Sequence, residues 1–97
     1  MTTKPSEIRE AVETGLGSSG RLKILRVLAS KESASHTKYS LEKLTGLKAV
    51  DVRKHLKVLI EAGWVKEHAY NPQTYTLNAD NPAIRALREF FEKTGYL

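Results

Sequence analysis

The sequence predicts a mainly α-helical domain with one small β-hairpin. Over most of the 97 residues, apolar side chains recur every three or four positions, as in amphipathic helices. After Gly63 the period changes to two, and the segment "YNPQ" is a turn signal between two alternating runs. The length fits a single domain, 1–97, whose core is necessarily small.

The first two helices are predicted from apolar spacing and capping residues. Helix one is expected over 5–17, because Pro5 suits a first turn and an apolar stripe recurs every four residues, at Ile8, Val12 and Leu16. Ser18 or Ser19 can cap helix two. This second helix has few polar positions, so we expect it at the centre of the domain.

The third and fourth helices lie close together. After a polar break at 32–36, "TKY" is consistent with a very short strand, and Ser40 is the predicted N-cap of a third helix with core contacts at Leu41 and Leu44. Gly46 ends this helix. The fourth helix, about 49–62, follows after two residues. Two helices joined by so tight a turn are the helix-turn-helix pattern, here over 40–62.

Helix four has an apolar face and a basic face. Its inward residues are Val52, Leu56 and Leu59. Lys54 points almost directly away from them, with Val50 and Lys57 nearby and Arg53 to one side. Gly63 is expected to end the helix in a left-handed conformation and to direct the chain into the hairpin.

The hairpin is predicted over 63–78. Alternation places Val65, Tyr75 and Leu77 inward, with Thr74 and Thr76 outward. Trp64 is expected to pack beneath the hairpin.

The last helix is predicted over 81–97, with Asn81 as its cap and Pro82 at its first position. The first and last helices together carry more apolar surface than a small core can cover. We therefore predict a homodimer whose interface contains Ile8, Val12, Leu16, Ile84, Leu87, Phe90 and Phe91.

The net charge of +5 is concentrated in the middle of the chain. Residues 18–62 hold ten basic and four acidic side chains, whereas the remaining segments are nearly balanced. A local basic excess is typical of proteins that bind polyanions, although a solvated lysine-rich surface has the same composition.

Several functions are disfavoured by the composition. The chain has no cysteine, so it forms no disulfide and no cysteine-based zinc site. Its three histidines, His36, His55 and His68, do not have the i, i+3 or i+4 spacing of a helical metal site. No catalytic motif is present. We expect no cofactor, no metal and no enzymatic activity.

No apolar run approaches the roughly 18 residues of a membrane span, and no signal region is seen, so an intracellular protein is expected.

The segment "YSLEKLTGLKAVDVRKHLKVLIEAGWV", residues 39–65, resembles the recognition segment of winged helix-turn-helix transcriptional regulators. The likeness is to the arsenic-repressor (ArsR) group and related small archaeal regulators, and MarR-type regulators share much of it. The order of elements agrees, with a three-helix core, a two-stranded wing and extra N- and C-terminal helices. The resemblance implies a homodimer that reads duplex DNA, with helix four in the major groove.

Two departures from the ArsR group stand out. Its metal sites use a cysteine pair or Asp/His sets on terminal helices, but this chain has no cysteine and residues 81–97 have no histidine. The wing tip "AYNPQT" also lacks the arginine or lysine that such wings often place in the minor groove. The first departure argues against metal sensing, and the second leaves open the contribution of the wing.

Nine residues are candidate DNA contacts. Basic side chains reach phosphates or guanine edges, a valine can meet a thymine methyl, and hydroxyls at a helix N-terminus suit a phosphate. His55 matches a DNA-contacting histidine of the family, although its boundary position equally suits a buried, hydrogen-bonded side chain. Ser40 can also be a plain cap. The candidates are Thr37, Lys38, Ser40, Lys48, Val50, Arg53, Lys54, His55 and Lys57.

The sequence thus predicts a dimeric, sequence-specific transcriptional regulator that binds double-stranded DNA. We expect it in the cytoplasm, associated with the nucleoid. The expected source is a prokaryotic cell, in particular an archaeal one, or a virus of such a cell. Three alternatives stay open: an architectural, chromatin-like DNA-binding protein, an RNA-binding winged helix, and a winged-helix module for protein interaction.

Overall fold

Five α-helices and one β-hairpin form residues 5–30 and 35–97, the part of the chain that the computed structural model describes. The side chains of Pro5, Ser6, Ile8 and Ala11 also lie outside this description. The elements, in order, are α1 (Pro5–Leu16), α2 (Ser19–Ala29), α3 (Lys38–Thr45), α4 (Ala49–Glu61), β1 (Val65–His68), β2 (Thr74–Leu77) and α5 (Pro82–Thr94). The predicted mainly helical fold with one small hairpin is confirmed.

The caps of α2 and α5 agree with the sequence. The Ser18 side chain accepts the backbone N–H of Arg21. Asn81 accepts the N–H of Ala83 at 2.9 Å, and Pro82 is the first residue of α5. Both caps satisfy N–H groups that have no partner within the helix.

The start of α3 differs from the prediction. Thr37, not Ser40, is the N-cap, and its Oγ1 accepts the N–H of Ser40 at 3.1 Å. The predicted short strand at 37–39 is wrong, because Lys38 and Tyr39 are helical and only His36 forms an isolated bridge, with Tyr75. Two hydroxyl residues three positions apart offer two caps, and the bridge at His36 holds the chain extended up to Thr37.

Gly63 ends α4 as predicted. Its φ is 77°, in the left-handed region that favours glycine. Its N–H donates to the Ile60 carbonyl, and the N–H of Trp64 donates to the Leu59 carbonyl, both at 3.0 Å. This pair of bonds is a Schellman motif, and it turns the chain directly from α4 into β1.

The inward-facing residues of the hairpin are those that the alternation predicted. β1 and β2 are antiparallel, with Val65 opposite Leu77 and Glu67 opposite Tyr75. Val65, Tyr75 and Leu77 are buried, whereas Thr74 and Thr76 are half-buried on the other face.

α2 lies at the centre of the domain and packs against α1, α3, α4 and β2. Trp64 is buried, as expected, and its ring packs against the α1 backbone, since a Cβ built at Gly15 would lie 2.2 Å from it. The buried core comprises Ile24, Leu25, Leu28, Ala29, Leu41, Val52, Leu56, Leu59, Trp64, Val65, Tyr75, Leu77, Ile84 and Phe91.

Leu44 is not a core contact, contrary to the prediction, because 60% of it is exposed. The inward face of α3 passes through Leu41 and then Thr45, whose hydroxyl donates to the Leu41 carbonyl. Leu44 falls outside that face.

Two residues assigned to the dimer interface require correction. Ile84 is 2% exposed and Phe91 is 1% exposed, because both pack in the core of the protomer. An amphipathic helix shows the same periodicity whether its apolar face meets its own core or a second chain. Leu87 is half-buried against the same core.

The other interface residues divide differently. Val12, Leu16 and Phe90 are exposed, and the Ile8 side chain lies outside the described residues.

Candidate nucleic-acid interface

α4 separates its apolar and basic side chains onto opposite faces. Val52, Leu56 and Leu59 are at most 2% exposed, so this stripe attaches the helix to the core. Arg53, Lys54 and Lys57 are exposed. The described residues form two ion pairs, Lys66–Asp80 and Lys93–Glu89, and neither involves any of these three basic side chains. The positive face of α4 is therefore open to a polyanion.

The N-terminus of α3 holds its hydroxyl groups in local hydrogen bonds. The Ser40 hydroxyl donates to the Thr37 carbonyl at 3.0 Å and lies 3.3 Å from Nδ1 of His36. Burial lowers the pKa of His36, so its ring is mainly neutral at pH 7. Thr37 is occupied as the cap. Both hydroxyls are thus engaged in ordering the turn that precedes α3.

Lys38, Arg53 and Lys57, three of the predicted contacts, are brought together by the fold. They line a cleft of about 350 Å³ between α3, α4 and the hairpin, together with Tyr75 and two carboxylates, those of Glu61 and Glu67. The Lys38 Nζ lies 5.9 Å from the centre of the Tyr75 ring, in the range of a cation–π contact. One continuous surface therefore combines the first turn of α3 with the basic face of α4.

The sequence did not predict that Tyr75 and Glu67 lie beside this basic surface. The Tyr75 hydroxyl donates to Oε2 of Glu67 at 3.1 Å. Burial raises the pKa of Tyr75, while the neighbouring Lys38 opposes this rise and the hydrogen bond to Glu67 adds to it. Their cross-strand register, Glu67 opposite Tyr75, was the available signal, because directly opposed residues share a face.

Lys48 and Val50 are at the exposed N-terminal end of α4. Lys48 is the N-cap residue, but its side chain makes no capping hydrogen bond, and it is exposed. Val50 is 58% exposed. Both side chains extend the open surface of α4 beyond Arg53 and Lys54.

His55 differs from the hydrogen-bonded histidine that its boundary position suggested, and its predicted DNA contact stays a prediction. Its ring packs against the first turn of α2, where a Cβ built at Gly20 would lie 2.6 Å from Nε2. Its Nδ1 is buried without a hydrogen-bond partner, so it is not the satisfied histidine that the core-boundary position suggested. Burial, followed by the charge of Arg21, lowers its pKa. The half-buried imidazole is mainly neutral at pH 7 and contacts α2 rather than pointing outward with Lys54.

The wing presents an aromatic pair in place of basic side chains. Tyr70 is 69% exposed, and its ring stacks on His68 with centroids 5.7 Å apart and a 12° interplanar angle. His68 is in turn positioned by Thr76, whose Oγ1 lies 2.9 Å from Nε2. At its base the wing is tied to the segment before α5, because Lys66 Nζ donates to Asp80 at 2.9 Å.

These features define a winged helix-turn-helix. α2, α3 and α4 form the three-helix core, α3 and α4 the helix-turn-helix, and β1 and β2 the wing. The helix-turn-helix begins at Lys38 rather than at the predicted residue 40.

Solved structures share this fold over nearly the whole chain. The transcriptional repressor BigR from Xylella fastidiosa matches with a TM-score of 0.75 and 20% identity, over 92% of this chain and 86% of that one. A predicted DNA-binding transcriptional regulator from E. coli gives 0.74 and 22%, over 92% and 90%.

A third similar structure comes from Mycobacterium bovis. It is a homodimeric winged helix-turn-helix DNA-binding domain of a possible ArsR-family regulator, with a TM-score of 0.72 and 17% identity, over 98% and 87% of the two chains. The resemblance to ArsR-type winged-helix regulators, predicted from residues 39–65, is thus confirmed at the level of the fold.

No protein-family model matches the sequence, and no curated protein is significantly similar to it. Within the described residues, none of the helices combines the length and apolarity needed to cross a bilayer.

Proposed function

We propose that this protein is a homodimeric transcriptional regulator that binds duplex DNA sequence-specifically, with α4 in the major groove. The observation that carries the proposal is the basic face of α4, exposed and without ion-pair partners among the described residues, opposite a fully buried apolar stripe. A helix held in this way presents side chains to base edges while its fold stays intact. Such a regulator acts where the DNA lies, on the prokaryotic nucleoid.

The nine predicted contact residues have different roles in this proposal. Lys54 and Val50 face the base edges, whereas Arg53, Lys57 and Lys38 surround the cleft where a backbone phosphate fits. Lys48 reaches a second phosphate beside the α4 N-terminus. Thr37 and Ser40 contribute by ordering the α3 turn, and His55 by packing α4 on α2. Phosphate contacts set the position on the duplex, and base contacts set the sequence.

Selection of bound sequences from a random duplex pool tests this function. Enrichment of a two-fold symmetric site is expected, since a symmetric dimer binds two related half-sites. Competition with random duplex, single-stranded DNA and RNA completes the test. Equal binding to all duplexes would indicate an architectural protein. Preferential binding to RNA would indicate an RNA-binding protein. If no nucleic acid bound even at low salt, the domain would be a protein-interaction module.

The proposed dimer is formed by α1 and α5. Both helices carry exposed apolar side chains, namely Val12 (39%), Leu16 (37%) and Phe90 (59%), followed by Leu97 (40%) at the C-terminus. The similar domain from Mycobacterium bovis is homodimeric. Two-fold symmetry through these helices would set the two α4 helices about 34 Å apart, one turn of DNA.

Light scattering is expected to give twice the mass of one chain at micromolar concentration. Phe90→Glu should shift the protein to monomer, because a charge would be buried in the apolar contact. Leu44→Glu is the matched control, since Leu44 is equally exposed at 60% but lies on α3. A monomeric wild type, or equal dissociation of the two variants, would contradict this interface.

Metal ions are expected to leave DNA affinity unchanged. The chain offers no thiolate, and its histidines occupy three separate elements: the segment before α3, α4 and β1. DNA-binding titrations with and without zinc, cadmium or arsenite check this directly. Stoichiometric metal binding that releases DNA would overturn the expectation.

A further inference from the structure

A second, larger cleft adjoins the small basic one at the last turn of α4, where Glu61 lines both. It has a volume of about 740 Å³, within the range of sites for small organic ligands. It is bounded by α1, the last turn of α4, the start of the hairpin and the first turn of α5. Among the described residues, its apolar lining is Val12, which also belongs to the proposed dimer surface, with Val58, Ala62, Trp64, Pro82 and Ala83.

The charge of this cleft is opposite to that of the molecule as a whole. Glu7 and Glu10 of α1 and Glu61 of α4 line it, and among the described residues no lysine or arginine does. None of these three carboxylates takes part in the ion pairs of the described residues. In a chain with a net charge of +5, this is a local negative site, which attracts cations and repels anions.

We propose that the cleft binds an organic cation with an apolar body, and that this ligand regulates DNA binding. The apolar lining buries the body, and the carboxylates select the positive charge. The regulatory part rests on the proposed function, whereas the binding part does not.

The position of the cleft explains how a ligand would affect the DNA-binding elements. Asn81 lines the cleft, and its Nδ2 donates to the Gly63 carbonyl at 3.1 Å, alongside Nδ2 of Asn78 at 2.8 Å. These two bonds hold the joint between α4 and the wing. A ligand seated against Glu61, Trp64 and Asn81 therefore contacts this joint and α1 at once.

Trp64 provides a direct readout of binding. It is the single tryptophan of the chain, it lines the cleft, and its ring packs on α1 at Gly15. Titration with tetraphenylphosphonium should change its fluorescence saturably. Tetraphenylborate, an anion of nearly the same shape, should not produce this change. Equal or tighter binding of the anion would overturn the proposal.

Carboxylate variants test the source of the selectivity. The double variant Glu7→Gln/Glu10→Gln, whose residues line this cleft and not the small one, should weaken tetraphenylphosphonium binding about three- to tenfold, as expected for two partly solvated charge contacts. Glu13→Gln is the matched control, because Glu13 is an exposed residue of α1 that does not line the cleft. Unchanged affinity in the double variant, or an equal loss in the control, would refute the site.

DNA binding and oligomeric state complete the experiment. Saturating tetraphenylphosphonium should alter the affinity of the wild type for its selected duplex at least threefold, and should have little effect on the double variant. No change would refute the regulatory part and leave the fluorescence result standing. Binding of the cation only after dilution to monomer would assign the cleft to a second copy of the chain and overturn the proposal.

Discussion

Lys54→Ala is expected to weaken binding to the selected duplex by about 1–3 kcal/mol if the side chain reads a base. It should also relax the preference at one base pair of each half-site. The physical reason is that Lys54 is exposed on the side of α4 opposite the buried Leu56 and Leu59. Titrations with single-substituted duplexes measure both effects.

Lys57→Ala should have a different signature, since Lys57 lies with Lys38 and Arg53 in the small cleft that we propose for a backbone phosphate. It should weaken all duplexes alike. With about four basic contacts per subunit, the proposed dimer would neutralise roughly eight phosphates, and the log–log salt slope should be near −7 for about 0.9 per contact. Loss of Lys57 should flatten the slope by about one unit per subunit.

Neither lysine variant should change the unfolding midpoint, because both side chains point away from the core. Thermal unfolding of each variant beside the parent is the control. If both variants bound DNA like the parent at every salt concentration, α4 would not be the element that contacts DNA.

Leu56→Ala is expected to cost about 2–5 kcal/mol of unfolding free energy, the usual range for a buried leucine. Leu56 is 2% exposed and belongs to the single core cluster of the described residues. Small domains are stable by only about 5–15 kcal/mol, so this loss is a large fraction of the total. DNA binding should fail only where the fold fails.

Urea unfolding measured by Trp64 fluorescence tests this prediction. Leu44→Ala is the matched control, since the same leucine-to-alanine change at a 60% exposed position of α3 should cost about 0.5 kcal/mol or less. A folded Leu56→Ala protein that had lost DNA binding would show that this residue acts at the interface, contrary to its buried position.

The residues around α4 show how much of the candidate site was predictable. Periodicity alone placed Val50, Arg53, Lys54 and Lys57 on an exposed face, and the structure agrees. Periodicity did not reveal that Lys38 joins Arg53 and Lys57 beside Tyr75, because that contact joins α3, α4 and β2. It also left two roles open for His55, whose packing on Gly20 depends on the approach of α2 to α4.

The start of α3 and the apolar face of α5 illustrate the same limit in the fold. Thr37 and Ser40 are equally good caps by composition, and the bridge between His36 and Tyr75 decided between them. Ile84 and Phe91 have the spacing of an interface stripe, but the core of the protomer covers them. Short-range signals could not separate these alternatives, since the partners lie far away in sequence.

The sequence by itself determined the order of the elements, the caps at Asn81 and Gly63, the alternation of the hairpin and the two faces of α4. Each of these depends on contacts within a few residues, where backbone geometry and periodicity suffice. Only the tertiary structure decided which apolar residues remain exposed, which basic side chains share a cleft and where the acidic cleft beside Trp64 lies. These features arise from close packing between distant segments, and such packing depends on the shapes of all the elements together.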